Sequence, residues 1–414
     1  MVFVRILMSI SAVLAVSARV RADVGDAHVA TWRHNAQAAY TLTYDDNMPD
    51  QLNYIAPALG ERGLRGTFFV NPALASFHRL GSGYAQLALD GHELGSHTLT
   101  HQSVIVNDPA WPTSCMESLE ELEEDCIESK ALLDALVPGA KTVSFCYPYG
   151  REDADSRGVV ANYFLSARAV HTYTNYPSGH YQPNPATPPD MFSLGCFLTS
   201  GTGNAGVPSF RHYATAASTF AAYISDTLAA GGWAIEYRHN LWGENQAAYW
   251  EHLDELQILG EQGILWNAPQ GEVAKYIYSR DATDITLIAA TAESLALAVD
   301  DSLDDEIYDI PVTVNVRIPA DWAETELTIF HGHRPLEGRT YWESDAAFVA
   351  FDVLADGARI TISPVLPTVP EPGTVLLLGG LALGVGARRL RRRPGDPRGG
   401  PHVSGGGPLP VSGP

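Results

Sequence analysis

Apolar residues fall into two textures along the chain. Between residues 39 and 267 they gather in seven short, near-continuous runs: Ala39–Tyr44, Gly66–Val70, Glu93–Ser96, Thr142–Cys146, Phe164–Arg168, Trp233–Arg238 and Ile264–Asn267. Runs of this length, mostly β-branched or aromatic, predict parallel strands covered on both faces. Helical patterns lie between several of them. Glu117–Leu136 masses its acidic residues in the first half, where the helix dipole favours them. Trp250, Leu253, Leu256 and Leu259 recur at helical spacing as far as Gly260, and Gly271–Arg280 predicts a closing helix. The alternation predicts an α/β domain over 31–280, either a barrel or an open parallel sheet.

From Asp284 the runs become short and alternating: Ile285–Ala289, Leu295–Val299, Val312–Arg317, Leu327–His331, Phe348–Val353 and Arg359–Ser363. That pattern predicts a small all-β sandwich over 284–365. Thr172–Pro189 and Thr199–Pro208 are long loops bearing Pro and Gly, expected to act as binding loops or lids.

The two ends do not look like fold. In residues 1–22, Arg5 precedes the apolar run Ile6–Val16 and then Val20-Arg21-Ala22, the layout of a cleavable export signal too short to span a bilayer. In residues 366–393, Pro370-Glu371-Pro372-Gly373 leads into the apolar stretch Thr374–Ala387 and an arginine cluster from Arg388 to Arg393. Arginines after an apolar segment hold that end on the cytoplasmic side, so this segment predicts a transient membrane contact. Residues 394–414 form a tail rich in Gly and Pro.

Charge narrows the partners. Lys and Arg total 26 against 48 Asp and Glu, a formal net charge of −22. Such a chain is repelled by phosphate backbones, which excludes nucleic acid as a natural partner, and it lacks the basic surface that binds anionic lipid. Four cysteines do not make a disulfide scaffold. In an exported chain, Cys146–Cys196 and Cys115–Cys126 are candidate bridges; a single helix running from 115 to 126 would exclude the second.

The reactive side chains cluster at strand ends. Asp45-Asp46-Asn47 follows the first run, His97 and His101 the third, Tyr147-Pro148-Tyr149-Gly150 the fourth, and His239 the sixth. In parallel α/β folds these C-terminal ends share one rim where ligands bind. His97 and His101, spaced i, i+4, are expected to stack on one face of a helical turn with both nitrogens free for one ion. Two histidines and one carboxylate leave an open position on zinc, which marks a catalytic site. Adjacent Asp45 and Asp46 point to opposite sides of an extended segment, so they need not share a task; a helix cap or turn is the plainer use of such a pair. Trp233 and Trp250, on a strand and a helix face, are expected in the core. Trp242, just after His239, is the candidate for substrate contact.

Tyr-Asp-Asp, then His-Thr-x-x-His, then Tyr-Pro-Tyr-Gly, then a late strand ending in His resembles the polysaccharide deacetylases with NodB homology, carbohydrate esterase family four. The resemblance runs from about Tyr40 to Arg280, its motifs in order. It implies a distorted seven-stranded (β/α) barrel, here followed by the all-β sandwich. It also implies one divalent metal, usually Zn2+, on Asp46, His97 and His101, with Asp45 as general base and His239 as general acid. Tyr149 would offer its backbone N–H to the oxyanion, and the substrate would be an acetylated polysaccharide. The Pro-Glu-Pro, apolar and arginine sequence resembles the PEP-CTERM sorting signal of Gram-negative bacteria, which implies delivery to the cell surface or extracellular matrix.

The chain departs from the family at three points. Asn47 stands where Gly is common. Cys146 stands where many members have an Arg that orients the base, and Arg168 is the candidate to take over that task or to contact substrate. An Asp-Trp motif that buttresses the acid histidine is not evident. Two other readings remain: a surface carbohydrate-binding or matrix protein on the same scaffold, and a metal-dependent amidase acting on non-sugar amides. Oligomeric state is not legible in the sequence.

Overall fold

The computed structural model describes residues 23–170, 182–198, 217–241 and 246–365. The export segment, the C-terminal sorting segment with its tail, Trp242, all of Thr199–Pro208 and most of Thr172–Pro189 lie outside the described residues.

A curled parallel sheet forms the first part of the molecule. Its strands are β2 (Ala38–Asp45), β3 (Gly66–Val70), β4 (Glu93–Ser96), β5 (Ser144–Cys146), β6 (Ser166–Arg168), β7 (Phe197–Leu198), β8 (Trp233–Arg238) and β9 (Leu265–Asn267). The order is β6-β5-β4-β3-β2-β8-β7, with β9 on β2, and every pairing is parallel. All seven expected strands are present. The eighth, β7, is only two residues long, too short for periodicity to register.

The distortion has a local cause at each edge. β2 gives one edge to β8 and divides the other, with β9 against Ala38–Tyr40 and β3 against Leu42–Asp45. The segment around β7 joins the outer strands: Leu194 bridges to Arg168 of β6, while Phe197 and Leu198 pair with β8. β2 is buried along its whole length, as a strand covered on both faces must be.

Helices α1 (Ala56–Glu61), α2 (Ala75–Leu89), α3 (Leu119–Asp134), α4 (Ala154–Val160), α5 (Ala217–Ala230), α6 (Gln246–Glu261) and α7 (Gln270–Ala282) accompany the sheet. α3 begins where Ser118 accepts a hydrogen bond from the Glu121 N–H at 3.2 Å, with Glu120 and Glu121 on the positive end of the dipole. Trp233 is fully buried, and Trp250 packs partly against the core, as expected. Several polar groups are buried among the apolar residues, and they find partners there. Glu236 on β8 accepts from the Tyr40 hydroxyl and meets His252 Nε2 of α6, each at 2.8 Å.

The remaining strands build two antiparallel sheets. β1 (Ala27–Val29), β12 (Val312–Ile318), β16 (Ala346–Val353) and β15 (Gly338–Glu343) form one, in the order β1-β12-β16-β15. β10 (Asp284–Ala290), β11 (Leu295–Asp300), β17 (Ile360–Pro364), β13 (Leu327–His331) and β14 (Arg334–Leu336) form the other, in that order. The expected sandwich is present, with three strands the sequence did not announce, β1, β14 and β15. β1 precedes the barrel in the chain, yet pairs with β12 from the far side of it.

Helix α7 explains how the two parts meet. It packs on β2, β3 and β6 on one side and on β12 on the other, and is buried on most of its surface. One apolar cluster therefore runs from Trp233, Trp266, Val273 and Ile277 into Leu295, Val312, Val349 and Ile362.

Candidate active site

The rim at the C-terminal ends of β2, β4, β5 and β8 carries the reactive residues. β2 ends on Asp45, and the chain then turns through two left-handed residues, Asp46 (φ 77°) and Asn47 (φ 54°). Asn is among the few side chains that enter this region at low cost, so it substitutes for glycine there. Asn47 also does what glycine could not. Its amide donates to the Asn71 carbonyl at 3.1 Å and accepts from the Asn71 N–H at 3.0 Å, tying the ends of β2 and β3.

His97 and His101 do come together, but not on a helix. The segment after β4 is an irregular turn in which Thr98 (φ 63°) and His101 (φ 64°) are left-handed. The rings meet edge to face, centroids 4.8 Å apart and planes at 80°. Neighbouring elements hold this backbone in place. The Asn71 side chain bonds the carbonyls of His97 and Thr98, and Asp125 of α3 accepts from the Leu99 N–H at 2.9 Å. His97 Nδ1 lies 2.7 Å from the Cys146 carbonyl, which fixes the ring and leaves Nε2 for the rim.

Asp46 sits among three imidazoles. Its Oδ1 is 3.5 Å from His97 Nε2 and 3.3 Å from His101 Nε2, and its Oδ2 is 3.4 Å from His239 Nε2. Burial works against the Asp46 charge, but His97, His239 and His101 outweigh it and hold the carboxyl well below the usual carboxylate range. Burial, helped by His97, brings His101 down to about 4 against the pull of Asp46 and Asp45. A neutral imidazole has a lone pair to give. Oδ1 of Asp46 is buried and makes no hydrogen bond. A carboxylate oxygen aimed between two imidazole nitrogens suits a divalent cation.

Asp45 has different surroundings. Nη2 of Arg168, at the end of β6, lies 2.6 Å from both carboxylate oxygens. An oxygen of Asp45 also falls within 4.8 Å of a His97 ring nitrogen, so the locked carboxylate adjoins the cluster. Arg168 is 0% exposed, which corrects the expectation of a substrate contact there: its charge is used on Asp45. Burial opposes the guanidinium charge, yet the neighbouring Asp45 carboxylate raises the Arg168 pKa well above its ordinary value.

The Arg168 head lies between two sulfurs, Cys146 Sγ at 2.8 Å from Nη2 and Cys196 Sγ at 3.4 Å from Nη1. All four cysteines are free thiols, so neither expected bridge forms. A guanidinium separates the first pair, while Cys126 is buried on α3 and Cys115 lies in the loop before it. Burial pushes the Cys146 thiol up and Cys196 up to about 12, which makes both poor nucleophiles.

His239 follows β8, with its ring edge to face on Tyr237. Tyr149 is a left-handed residue (φ 59°) in the turn after β5. The next residue, Gly150 (φ 64°), admits no side chain, because a Cβ there would sit 2.2 Å from Val170. Besides Asn71 and Asp125, two further residues escaped the sequence reading. Gln51 is buried, donates to the carbonyls of Asp45 (2.6 Å) and His239 (3.0 Å), and accepts from the Tyr84 hydroxyl at 3.1 Å. Trp111 stacks on Tyr149 with centroids 3.7 Å apart. Neither belongs to a motif, and Gln51 reaches His239 and Trp111 reaches Tyr149 across long sequence separations.

Comparisons with known proteins bear on this arrangement. Residues 33–167 match the family model for polysaccharide deacetylase, and residues 368–393 match the PEP-CTERM protein-sorting motif. A gellan lyase from Bacillus sp is 24% identical over 424 residues, covering 90% of this chain and 16% of that protein. A chitin deacetylase from Pestalotiopsis sp is 32% identical over 82 residues, covering 20% of this chain and 28% of that protein. The chain thus spans less than a third of either relative. A solved structure from Mycobacterium smegmatis, described as a polysaccharide deacetylase, aligns at 16% identity with a TM-score of 0.46. That alignment covers 65% of this chain and all of the other.

Proposed function

Because this chain carries a polysaccharide deacetylase domain and a PEP-CTERM sorting motif, we propose that it is an exported, metal-dependent hydrolase that removes acetyl groups, mainly N-acetyl, from a polysaccharide of the cell surface or matrix. One observation carries the reading: the Asp46 oxygen without a hydrogen bond, set between His97 and His101 beside the locked Asp45. Asp46, His97 and His101 would hold a divalent cation, and zinc suits a set of two imidazoles and one carboxylate. When bound, such an ion would supply Lewis acidity toward the acetyl carbonyl and a water.

The remaining work belongs to the chain. Asp45, oriented by Arg168, takes the proton of the attacking water. The Tyr149 N–H donates to the carbonyl oxygen as charge builds there, a contact of the kind worth about 3–4 kcal/mol. His239 gives a proton to the departing nitrogen, which leaves badly as an anion. Gln51 fixes base and acid at once through their carbonyls. The products are acetate and a free amine. The net charge of −22 favours neutral or partly deacetylated, cationic glycans over polyanionic ones. Residues 1–22 would be removed on export, and the 366–393 segment would direct sorting in a Gram-negative envelope.

The test is acetate release from N-acetylated chitooligosaccharides and from poly-N-acetylglucosamine. Chelation and Asp46→Ala should each abolish release, and zinc should restore the chelated protein only. Turnover of simple acetamides but not glycans would favour the amidase reading. Glycan binding without acetate would favour a binding protein.

A further inference from the structure

An indole left in solvent beside a polar rim needs a reason. Trp111 is 39% exposed and stacks on Tyr149 with planes 12° apart. The Tyr149 ring in turn stands edge to face on His101, centroids 4.6 Å apart and planes at 83°. A row of rings therefore leads outward from the cation cluster and ends in an aromatic surface open to water.

The loop that carries Trp111 does not depend on it. Asp108 is buried and accepts from Ser103 Oγ (2.7 Å), the Ala110 N–H (2.9 Å), and Arg151 through Nε (3.0 Å) and Nη2 (3.2 Å). Arg151 follows Gly150 directly, so this two-pronged ion pair joins the Trp111 loop to the Tyr149 turn. Backbone bonds from Ser103 to Ser114 and from Asn107 to Met116 close the loop across its base. The indole is thus held rigid while contributing little to the core, the behaviour of a binding aromatic.

We propose that the exposed Trp111 ring, backed by Tyr149, is a stacking platform for a pyranose ring next to the acetylated residue, making the enzyme selective for oligomers over short acceptors. The proposal rests on the deacetylase reading and adds a subsite to it. A sugar ring presents a flat C–H face that such a surface can cover, and binding to a preorganised ring costs no side-chain ordering.

The experiment compares acetate release from N-acetylated chitobiose and chitohexaose by the zinc-loaded wild type, Trp111→Phe and Trp111→Ala. For Trp111→Ala, kcat/KM on the hexamer should fall about tenfold relative to the dimer, through KM and not kcat, the size of one good ring stack. Trp111→Phe should recover most of the loss. An equal change on both substrates, a loss confined to kcat, or no change would overturn the platform. Should the wild type release no acetate from any glycan, the deacetylase reading fails. Chitohexaose binding by calorimetry then decides the platform by itself: weakened by Trp111→Ala it stands, unaffected it falls. Thermal melting of both variants checks that the Asp108–Arg151 clasp holds the fold.

Discussion

Asp45 and Arg168 lie on β2 and β6, far apart in sequence, and meet in the barrel interior with both carboxylate oxygens 2.6 Å from one guanidinium nitrogen. A buried charge pair is costly to break, because the survivor keeps its desolvation penalty. Arg168→Met should therefore lower stability by about 3–5 kcal/mol and reduce kcat by at least 100-fold, since base positioning is lost. Zinc affinity should stay near wild type, because the three ligands are untouched; titration calorimetry with activity assays separates the two effects. Loss of zinc binding in this variant would mean that Arg168 supports the cluster as a whole. Short-range pattern predicted the positions of Asp45, Asp46, His97, His101 and His239 at the rim. It could not place Arg168, because at residue level a strand-end arginine reads the same whether it faces a ligand or a buried carboxylate. Cys146 and Cys196 suggested a bridge by type and compartment, and only the fold inserts a guanidinium between them.

At the scale of elements, the turn that presents the histidines depends on helix α3. Asp125, on its buried face, accepts from the Leu99 N–H through Oδ2, while its Oδ1 has no partner. Burial pushes this carboxyl up to about 7, with Glu121 and Glu128 adding to the effect and the Leu99 N–H opposing it. A carboxyl whose folded pKa exceeds its unfolded one contributes stability at low pH and loses it as pH rises. The loss begins near the unfolded value of 3.8 and is complete above about 7. Asp125→Asn keeps an acceptor for Leu99 and removes the charge. It should match the wild type near pH 4 and exceed it at pH 8, by up to about 4 kcal/mol, in urea melts. Parallel pH profiles for the two proteins would contradict this account. Spacing suggested a helical turn for His97 and His101, and periodicity cannot distinguish a helix from a turn with two left-handed residues. The strands were legible because burial on both faces leaves continuous apolar runs. β1, β7 and β14 were not, being too short to carry a period, and neither was β15, whose Gly338-Arg339-Thr340 start interrupts the apolar alternation.

For the molecule as a whole, the decisive feature is that one apolar cluster is shared by the barrel and the sandwich, beside two others that lie within the barrel alone. α7 is buried against β2, β3 and β6 on one side and β12 on the other, and so lacks the one-sided apolar stripe of a surface helix. Clamps cross the same boundary. Arg33 reaches Glu272 of α7 and Asp352 of β16, each at 3.1 Å, and the side chains of Asn35 and Asn315 bond each other reciprocally. The change of texture at Asp284 marks a change of secondary structure, and texture reports nothing about which surfaces face each other. Residues 23–365 should therefore unfold in one calorimetric transition whose van't Hoff and calorimetric enthalpies agree. Ending the chain at 283 would uncover Trp266, Val273 and Ile277, which pack into one cluster with Leu295 and Val312. That fragment should aggregate or bind hydrophobic dye even though it retains every proposed catalytic residue. Two resolved transitions in the longer protein, or a soluble and active fragment ending at 283, would show that the cluster is two cores in contact and that the sandwich is dispensable for folding.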